Sequence, residues 1–178
     1  MHGVIHRRLK QYVEERMPDG AWDRVVDHAG VEPKLYLPVA HYPDEEFTSM
    51  VDAIADLSGH EAGTVRRDFG RFLAPEILST FSAHVKGEWS LLDLLEHLDE
   101  VYEEIESQNE DNDPPTVSCD RVVSDMAVLT YESERKLCEV GLGVIEGLAK
   151  EYDEEISIEE DRCMLDGDDH CEFTVERV

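Results

Sequence analysis

A short segment near residue 130 combines side chains that can bind a carboxylate. Tyr131, Ser133 and Arg135 alternate with two glutamates over five positions. An arginine guanidinium presents a planar pair of N–H donors that match the two oxygens of a carboxylate, and the two hydroxyls add neutral donors. The segment therefore predicts a site for an anionic group. Two simpler roles would also explain the pattern: Ser133 as a helix cap and Arg135 in a surface ion pair.

A second candidate site consists of cysteines near the C-terminus. Cys163 and Cys171 flank a predicted turn, and Cys138 lies on a predicted helix that would pack against the same sheet. A three-residue turn centred on Gly167 would place Cys163 directly opposite Cys171 on neighbouring strands. Three thiolates and one further donor are enough for a tetrahedral zinc site.

The fourth donor of such a site would be Glu160 or His170. Because His170 is adjacent to Cys171 on a predicted strand, its side chain should point to the opposite face, which favours Glu160 or a nearby aspartate. Two other roles for the thiols are open: buried small residues with a free thiol, or a disulfide between Cys163 and Cys171. Cys119 is interpreted as an ordinary strand residue.

The spacing of apolar residues changes near position 110, from a helical period to a strand period. Before this point it predicts helices over 4–17, 22–29, 44–57 (or from 52), 62–72, 77–85 and 91–107, the last capped by Ser90. After the polar segment 108–115 it predicts a hairpin over 117–123 and 127–130, a helix over 137–148, and strands over 156–158 and 171–175. We therefore predict one α+β domain (1–178), with a helical subdomain (1–110) and a β-β-α-β-β subdomain (111–178) whose four strands form an antiparallel sheet.

The composition is strongly acidic, with 43 Asp and Glu against 16 Lys and Arg and a formal net charge of -27. High salt would screen the resulting self-repulsion, which favours a halophilic cytoplasm over an acidic surface made for one basic partner. Nucleic-acid binding is not expected, because phosphate contacts need a basic patch. The sequence has neither a membrane-spanning apolar run nor the apolar core of a signal peptide, so we expect a cytoplasmic protein without membrane contact.

The segment 129–136, followed by 143–147, resembles the signature region of the heme NO-binding (H-NOX) family. In that family the Tyr-x-Ser-x-Arg motif binds the heme propionates. Met1-His2-Gly3 at the start, Asp-Glu-Val at 99–101 and the proline pair at 114–115 follow in the same order. The resemblance implies a heme between the helical and mixed halves, detection of NO or oxygen, and signalling to a separately encoded kinase or cyclase.

One residue departs from the family pattern. The residue after Asp-Glu-Val is the histidine that ligates heme iron in the family, and here it is Tyr102. A tyrosinate can ligate ferric heme, but the ordinary pKa of tyrosine is about 10. The neighbouring carboxylates of Glu100, Glu103 and Glu104 would oppose its ionisation. Tyr102 is therefore a candidate ligand that fits the family chemistry poorly.

No nearby histidine replaces that ligand in an obvious way. His97 precedes Tyr102 by five positions, roughly 140° away around a helix, so its side chain should face elsewhere. His84 is expected in the preceding loop, and both read as ordinary exposed or capping residues. Val140 offers no hydroxyl to donate a hydrogen bond to bound oxygen, so a bound heme would favour a response to NO over oxygen storage.

The resemblance also bears on the cysteines, because some H-NOX proteins carry a cysteine-bound zinc at the end of the domain and use it as a redox switch. Cys138, Cys163 and Cys171 match those positions, whereas one family cysteine is an acidic residue here. The segment from Cys163 to Phe173 is also similar to the end of four-vinyl reductase small-ligand domains.

Two functions of different kinds follow from these patterns. The first is an H-NOX-like sensor of gas or redox state that signals in trans. The second is a heme-free regulatory module for a small acidic hydrophobic ligand or a protein partner, with or without the zinc–cysteine site. The sequence contains no Ser/His/Asp order, phosphate loop or paired catalytic carboxylates, so an enzyme is not expected.

Overall fold

The chain folds into a helical N-terminal part and a C-terminal part built on a sheet. The computed structural model describes residues 1–100 and 115–178. In those ranges the helices are α1 Gly3–Arg16, α2 Ala21–His28, α3 Asp44–Ser58, α4 Ala62–Thr80, α5 Leu91–Glu96 and α6 Cys138–Glu151. The strands are β1 Thr116–Val123, β2 Met126–Glu132, β3 Ile156–Arg162 and β4 Cys171–Arg177. None of the helices described there is long and apolar enough to cross a membrane.

Helix α4 differs from the two short helices predicted over 62–72 and 77–85. It continues through Pro75 to Thr80, although proline has no N–H for the helical hydrogen bond. Leu73 and Ala74, just before the proline, are buried in the two cores. Burial on both sides of the helix outweighs the lost bond, which sequence propensity alone cannot reveal.

The N-cap predicted at Ser90 is present and forms a capping box. Ser90 Oγ accepts a hydrogen bond from the Asp93 amide at 3.2 Å, and the Ser90 amide donates to Asp93 Oδ2 at 2.9 Å. Helix α5 is nevertheless shorter than predicted, because it ends at Glu96 and a turn at His97 interrupts it before residues 98–100. The rest of the predicted helix, to 107, lies outside the described residues.

The sheet has the strand order β1-β2-β4-β3, and every neighbouring pair is antiparallel. Its inner face is set by alternation in the two central strands, where Leu129, Tyr131, Phe173 and Val175 are buried. These side chains pack with the buried face of α6 and with α5 in one core, while α1 to α4 enclose a second core.

Helices α4 and α6 join the two halves through backbone contact. A Cβ atom at Gly143 would lie 1.9 Å from the Arg67 carbonyl oxygen, and one at Gly70 would lie 2.2 Å from the Val140 carbonyl oxygen. At the edge of this contact Glu146 accepts hydrogen bonds from Arg67 Nη2 at 2.6 Å and Arg71 Nε at 2.7 Å. Because glycine has no Cβ, Gly70 and Gly143 allow the two helix backbones to approach more closely than any other residue would.

Replacing Gly143 with alanine should therefore destabilise the protein. The added methyl must push the two helix backbones apart, and overpacking of this kind costs about 1–3 kcal/mol. Urea unfolding at constant high salt would measure the loss. Gly87→Ala is the matched control, because a Cβ there meets no atom within 4 Å. Equal stability of the two variants would contradict the proposed close contact.

Candidate ligand pocket and cysteine cluster

An apolar cavity of about 480 Å³ lies between the helical and mixed halves. Its volume is in the range of small-molecule and cofactor sites. The walls come from α1, α4, α6 and the inner face of the sheet, with representative side chains Ile5, Leu73, Ile77, Leu129, Val144 and Phe173. Val140 also lines it, so this wall is apolar as its sequence predicts. Such walls favour a large apolar ligand.

The three residues predicted to bind a carboxylate all border this cavity. Tyr131 is buried near the end of β2, and a tight turn leads from β2 into α6. In that turn the Lys136 amide donates to the Ser133 carbonyl oxygen at 3.0 Å, and the Arg135 amide donates to Ser133 Oγ at 3.3 Å. Ser133 is not the cap of α6, because the helix begins after Leu137. The capping alternative for Ser133 is therefore wrong, whereas the ion-pair alternative for Arg135 is present as a bond to Asp44.

Arg135 forms an ion pair with an acidic residue from the other half. Its Nε donates to Asp44 Oδ2 at 2.7 Å, and the N-terminal ammonium of Met1 donates to the other oxygen of Asp44. Burial alone would raise the pKa of Asp44, but hydrogen bonds from the N-terminus and Arg135 outweigh it and hold that pKa below its ordinary value. The N-terminal ammonium and the Arg135 guanidinium thus share the Asp44 carboxylate.

The N-terminus is seated on the loop before α3. The Gly3 amide donates to the Ala40 carbonyl oxygen at 2.8 Å, and a Cβ at Gly3 would overlap the Leu37 carbonyl oxygen at 2.0 Å. The backbones of His2 and His41 form an isolated antiparallel bridge. Because a side chain at position 3 would overlap this loop, glycine permits the contact that fixes the positions of Met1 and His2.

His2 and His41 border the cavity, although sequence reasoning gave them no role. Their rings meet edge to face, with centroids 5.0 Å apart. His2 Nδ1 is buried and has no hydrogen-bond partner among the described residues. Burial lowers the pKa of His2, and the positive charges of His41 and the N-terminus lower it further. The only sequence signal for this position was Met1-His2-Gly3, used as a family marker.

The family's iron-ligand position, Tyr102, lies outside the described residues. Of the substitutes considered from sequence, His97 stacks on Trp89 at 4.5 Å between ring centroids, and its Nδ1 lies 2.8 Å from the Asp93 carbonyl oxygen. His84 is exposed. Neither of these two rings borders the cavity.

Four of the five predicted metal ligands come together. The ligand atoms of Cys138, Glu160, Cys163 and Cys171 all lie within 4.8 Å of one another, and the three thiols are buried. Cys138 Sγ and Cys163 Sγ are 3.8 Å apart, and all four cysteines of the chain are free thiols. Zinc–sulfur bonds of about 2.3 Å at tetrahedral angles place two sulfurs about 3.8 Å apart. The donor set therefore fits zinc.

His170 is not part of this group, in line with its predicted direction. Its Nδ1 lies 2.8 Å from Asp169 Oδ1. The predicted three-residue turn, however, is wrong: β3 ends at Arg162, and eight residues separate it from β4. Cys171 pairs with Tyr131 rather than with Cys163.

Cys163 is the first residue of this loop, and hydrogen bonds within the loop hold it near the other thiols. The amides of Asp166 and Asp168 both donate to the Cys163 carbonyl oxygen, and the Cys163 amide donates to Asp168 Oδ2 at 3.0 Å. Gly167 has a φ of 106°, which side chains rarely tolerate. Two of these bonds join backbone atoms and one uses the Asp168 carboxylate, and the spacing of the cysteines in the sequence indicates none of them.

Burial sets the protonation of the thiols. It raises the pKa of Cys163 to about 11. It also raises the pKa of Cys138, with the neighbouring Cys171 and Cys163 adding to the effect. A metal ion would have to displace protons from these thiols. Cys119, outside the cluster, is a half-buried residue of β1 as predicted.

The Haem-NO-binding (HNOB) family model matches residues 2–160 of this chain. An H-NOX protein from S. oneidensis in the Fe(II)NO ligation state superposes with a TM-score of 0.91 at 23% identity, covering 100% of this chain and 99% of its own. The I5F mutant of T. tengcongensis H-NOX gives 0.86 at 25% identity, covering 99% and 97%.

An unliganded Fe(II) H-NOX mutant from K. algicida gives a TM-score of 0.89 at 15% identity, covering 100% of this chain and 97% of its own. No curated protein matches the sequence significantly. The predicted α+β fold is confirmed by these structures.

The ion pair of Asp44 predicts a pH-dependent contribution to stability. Because its folded-state pKa is below the ordinary 3.8, the stabilisation is complete above about pH 4 and is lost as pH falls through the folded pKa. Asp44→Asn should cost on the order of 1 kcal/mol at pH 7, after allowance for solvent screening. This difference from wild type should shrink towards pH 3.

Thermal or urea unfolding of both proteins across this pH range measures the effect. Glu45→Gln removes a neighbouring exposed carboxylate and serves as the control. A difference between wild type and Asp44→Asn that does not change with pH would contradict an ionic origin.

Proposed function

We propose that this chain, which belongs to the Haem-NO-binding family, is a small sensor that holds heme in the cavity between its two halves. The observation that carries the proposal is the apolar cavity with Tyr131, Ser133 and Arg135 gathered at one edge. When bound, heme would supply an iron able to bind NO, the ligand carried by the S. oneidensis protein in its Fe(II)NO state.

The residues present fit a heme that enters with its carboxylates towards this edge. The apolar walls suit the macrocycle, and the hydroxyls of Tyr131 and Ser133 with the Arg135 guanidinium suit a propionate. The N-terminal ammonium of Met1 contacts the same carboxylate as Arg135, so two cationic groups stand near this edge.

A heme-free module for an acidic hydrophobic ligand is the second candidate. Tyr102 in place of the family's histidine favours it, because the same cavity could hold an amphiphile with one acidic head. In either case the signal would pass in trans to a separate protein such as a kinase or cyclase, and we infer no enzymatic activity. The acidic composition favours a salt-rich cytoplasm as the setting.

Reconstitution decides between these candidates. We expect the protein, expressed in high salt and supplied with heme, to develop a Soret band at one heme per chain. A band that disappears in Tyr102→Ala would support ligation by that tyrosine. Absence of any band in the wild type would sink the heme proposal and leave the amphiphile module.

Arg135→Ala should weaken heme binding about tenfold. This factor corresponds to the free energy of one charge-assisted hydrogen bond, reduced because Arg135 is partly exposed. Titration of the apo-protein with hemin, followed in the Soret region, measures the affinity. Arg24→Ala removes an exposed arginine on α2 and provides the matched control. Unchanged affinity in Arg135→Ala would refute a role for the clamp.

We also propose that Cys138, Cys163, Cys171 and Glu160 hold a zinc ion, which gives the protein a redox-sensitive site that does not require heme. The support is the convergence of their ligand atoms within 4.8 Å. Cys171→Ser should reduce bound zinc from one equivalent to near zero in metal analysis, and Cys119→Ser should retain it.

The affinity for zinc should fall from pH 8 to pH 6, because the raised thiol pKa values make zinc compete with protons. A pH-independent affinity would exclude thiolate ligands.

A further inference from the structure

The segment before α3 exposes three aliphatic side chains at alternate positions. Leu35, Leu37 and Val39 are 80%, 50% and 85% exposed, whereas Tyr36 between them is buried. Single aliphatic side chains on a surface are ordinary, but a contiguous group of them marks an interaction site. We call the exposed side of residues 33–43 the apolar loop face.

Hydrogen bonds within the loop hold these side chains in place. The Leu37 amide donates to the Tyr42 hydroxyl at 2.8 Å, and that hydroxyl donates to the Leu35 carbonyl oxygen at 3.3 Å. Tyr36 anchors the segment to α3, because its hydroxyl donates to Glu46 Oε2 at 2.9 Å. The apolar loop face is therefore preformed, and little conformational entropy would be lost in ordering it on binding.

Acidic residues are missing from this part of the chain. The chain has 43 Asp and Glu among its 178 residues, yet none lies within 1–13 or 33–43. The two segments are in contact, because the Gly3 amide donates to the Ala40 carbonyl oxygen and the Tyr42 amide donates to the Met1 carbonyl oxygen at 2.9 Å. They therefore form one region without side-chain carboxylates of its own.

Other exposed aliphatic side chains lack this setting. Five are present elsewhere in the described residues, and each has an aspartate or glutamate within two positions in the sequence: Leu57, Val122, Val123, Leu165 and Val178. The acidic residues nearest to the apolar loop face are Glu32 and Asp44, and both are at least three positions from its aliphatic side chains. Among the described residues, exposure of aliphatic groups and absence of acid thus coincide on this face.

Most cations of the two segments are already paired. Three of their four Lys and Arg form ion pairs with acids outside the segments, at distances from 2.6 to 3.7 Å: Lys34 with Glu46, Arg8 with Glu76 and Lys10 with Glu14. An acidic partner protein or an anionic membrane would need cations that are available to bind it. The region is instead apolar and close to neutral.

We propose that the apolar loop face is the contact between two copies of this chain in a symmetric dimer. The net charge of -27 opposes the approach of two copies, and a region without carboxylates lets them bury apolar surface without bringing acids together. In a twofold contact the same patch meets itself, so a neutral face is complementary to its own copy. High salt screens the repulsion that remains. This inference does not depend on heme or zinc binding.

Sedimentation velocity of the full chain in high salt, over a wide range of protein concentration, tests the dimer. We expect wild type to show a monomer–dimer equilibrium. Leu35→Glu/Val39→Glu replaces two aliphatic side chains per chain with carboxylates that would face each other, so the dissociation constant should rise at least about a hundredfold. Leu35→Ile/Val39→Ile keeps the apolar surface and should retain the dimer.

Val122→Glu/Val123→Glu is the matched control. It makes the same change in charge at an exposed aliphatic pair of β1, outside the apolar loop face. This variant should dimerise as wild type does. Circular dichroism at equal salt verifies that each variant is folded.

Any of four results would overturn the proposal. One is a wild type that stays monomeric at every concentration, and another is a Leu35→Glu/Val39→Glu variant that dimerises like wild type. Equal dissociation of the control would show a general effect of charge rather than a contact at this face. Monomeric wild type that co-sediments with phosphatidylglycerol vesicles, and loses this binding in Leu35→Glu/Val39→Glu, would assign the face to a membrane surface instead.

Discussion

The attachment of the helical half to the sheet-bearing half is the constraint on which the rest of this structure depends. A chain with 43 Asp and Glu and only 16 Lys and Arg has a net charge of -27 and repels itself. Several of these cations stand where the halves meet: Arg67 and Arg71 bind Glu146, and Arg135 binds Asp44. Backbone contact at Gly70 and Gly143 holds α4 and α6 of the two halves close together, and the cavity lies between the halves beside this contact.

This arrangement explains why the polar edge of the cavity is built from distant parts of the chain. Asp44 and Arg135 are separated by 91 residues, and the N-terminal ammonium that shares the carboxylate is 43 residues from it. Sequence reasoning identified Tyr131, Ser133 and Arg135, because their types and spacing are local. It could not find Asp44, His2 or His41, whose positions near this edge arise only when the N-terminus is seated against the loop before α3.

The same distinction applies to the fold and the cysteines. The element types and their order along the chain follow from periodicity, which is a local property, and the Ser90 cap has a local signature. The continuity of α4 through Pro75 depends on burial on both sides, so it was not predictable. Sequence reasoning proposed Cys138, Cys163 and Cys171 with Glu160 or His170 as the fourth donor, and the structure brings the first three together with Glu160. The geometric reason given for the position of Cys163 was partly wrong. An eight-residue loop that begins with Cys163, rather than a tight turn, connects β3 to β4, and Cys163 lies beside its partners at the start of this loop.

The cavity and the thiol cluster are physically connected through the start of α6. Lys136, next to the clamp arginine, donates through its Nζ to the Met164 carbonyl oxygen in the cysteine loop at 3.3 Å. Cys138 is the first residue of the helix, and Val140 and Val144 line the cavity within the next two turns. If the proposed metal binds, a change in its occupancy or an oxidation at Cys138 would act on the helix that forms one wall of the cavity. Coupling between the sites requires two arrangements of this helix that the two ligands stabilise differently. The close glycine contact with α4 limits those arrangements to small shifts, because the backbones have no space to approach further.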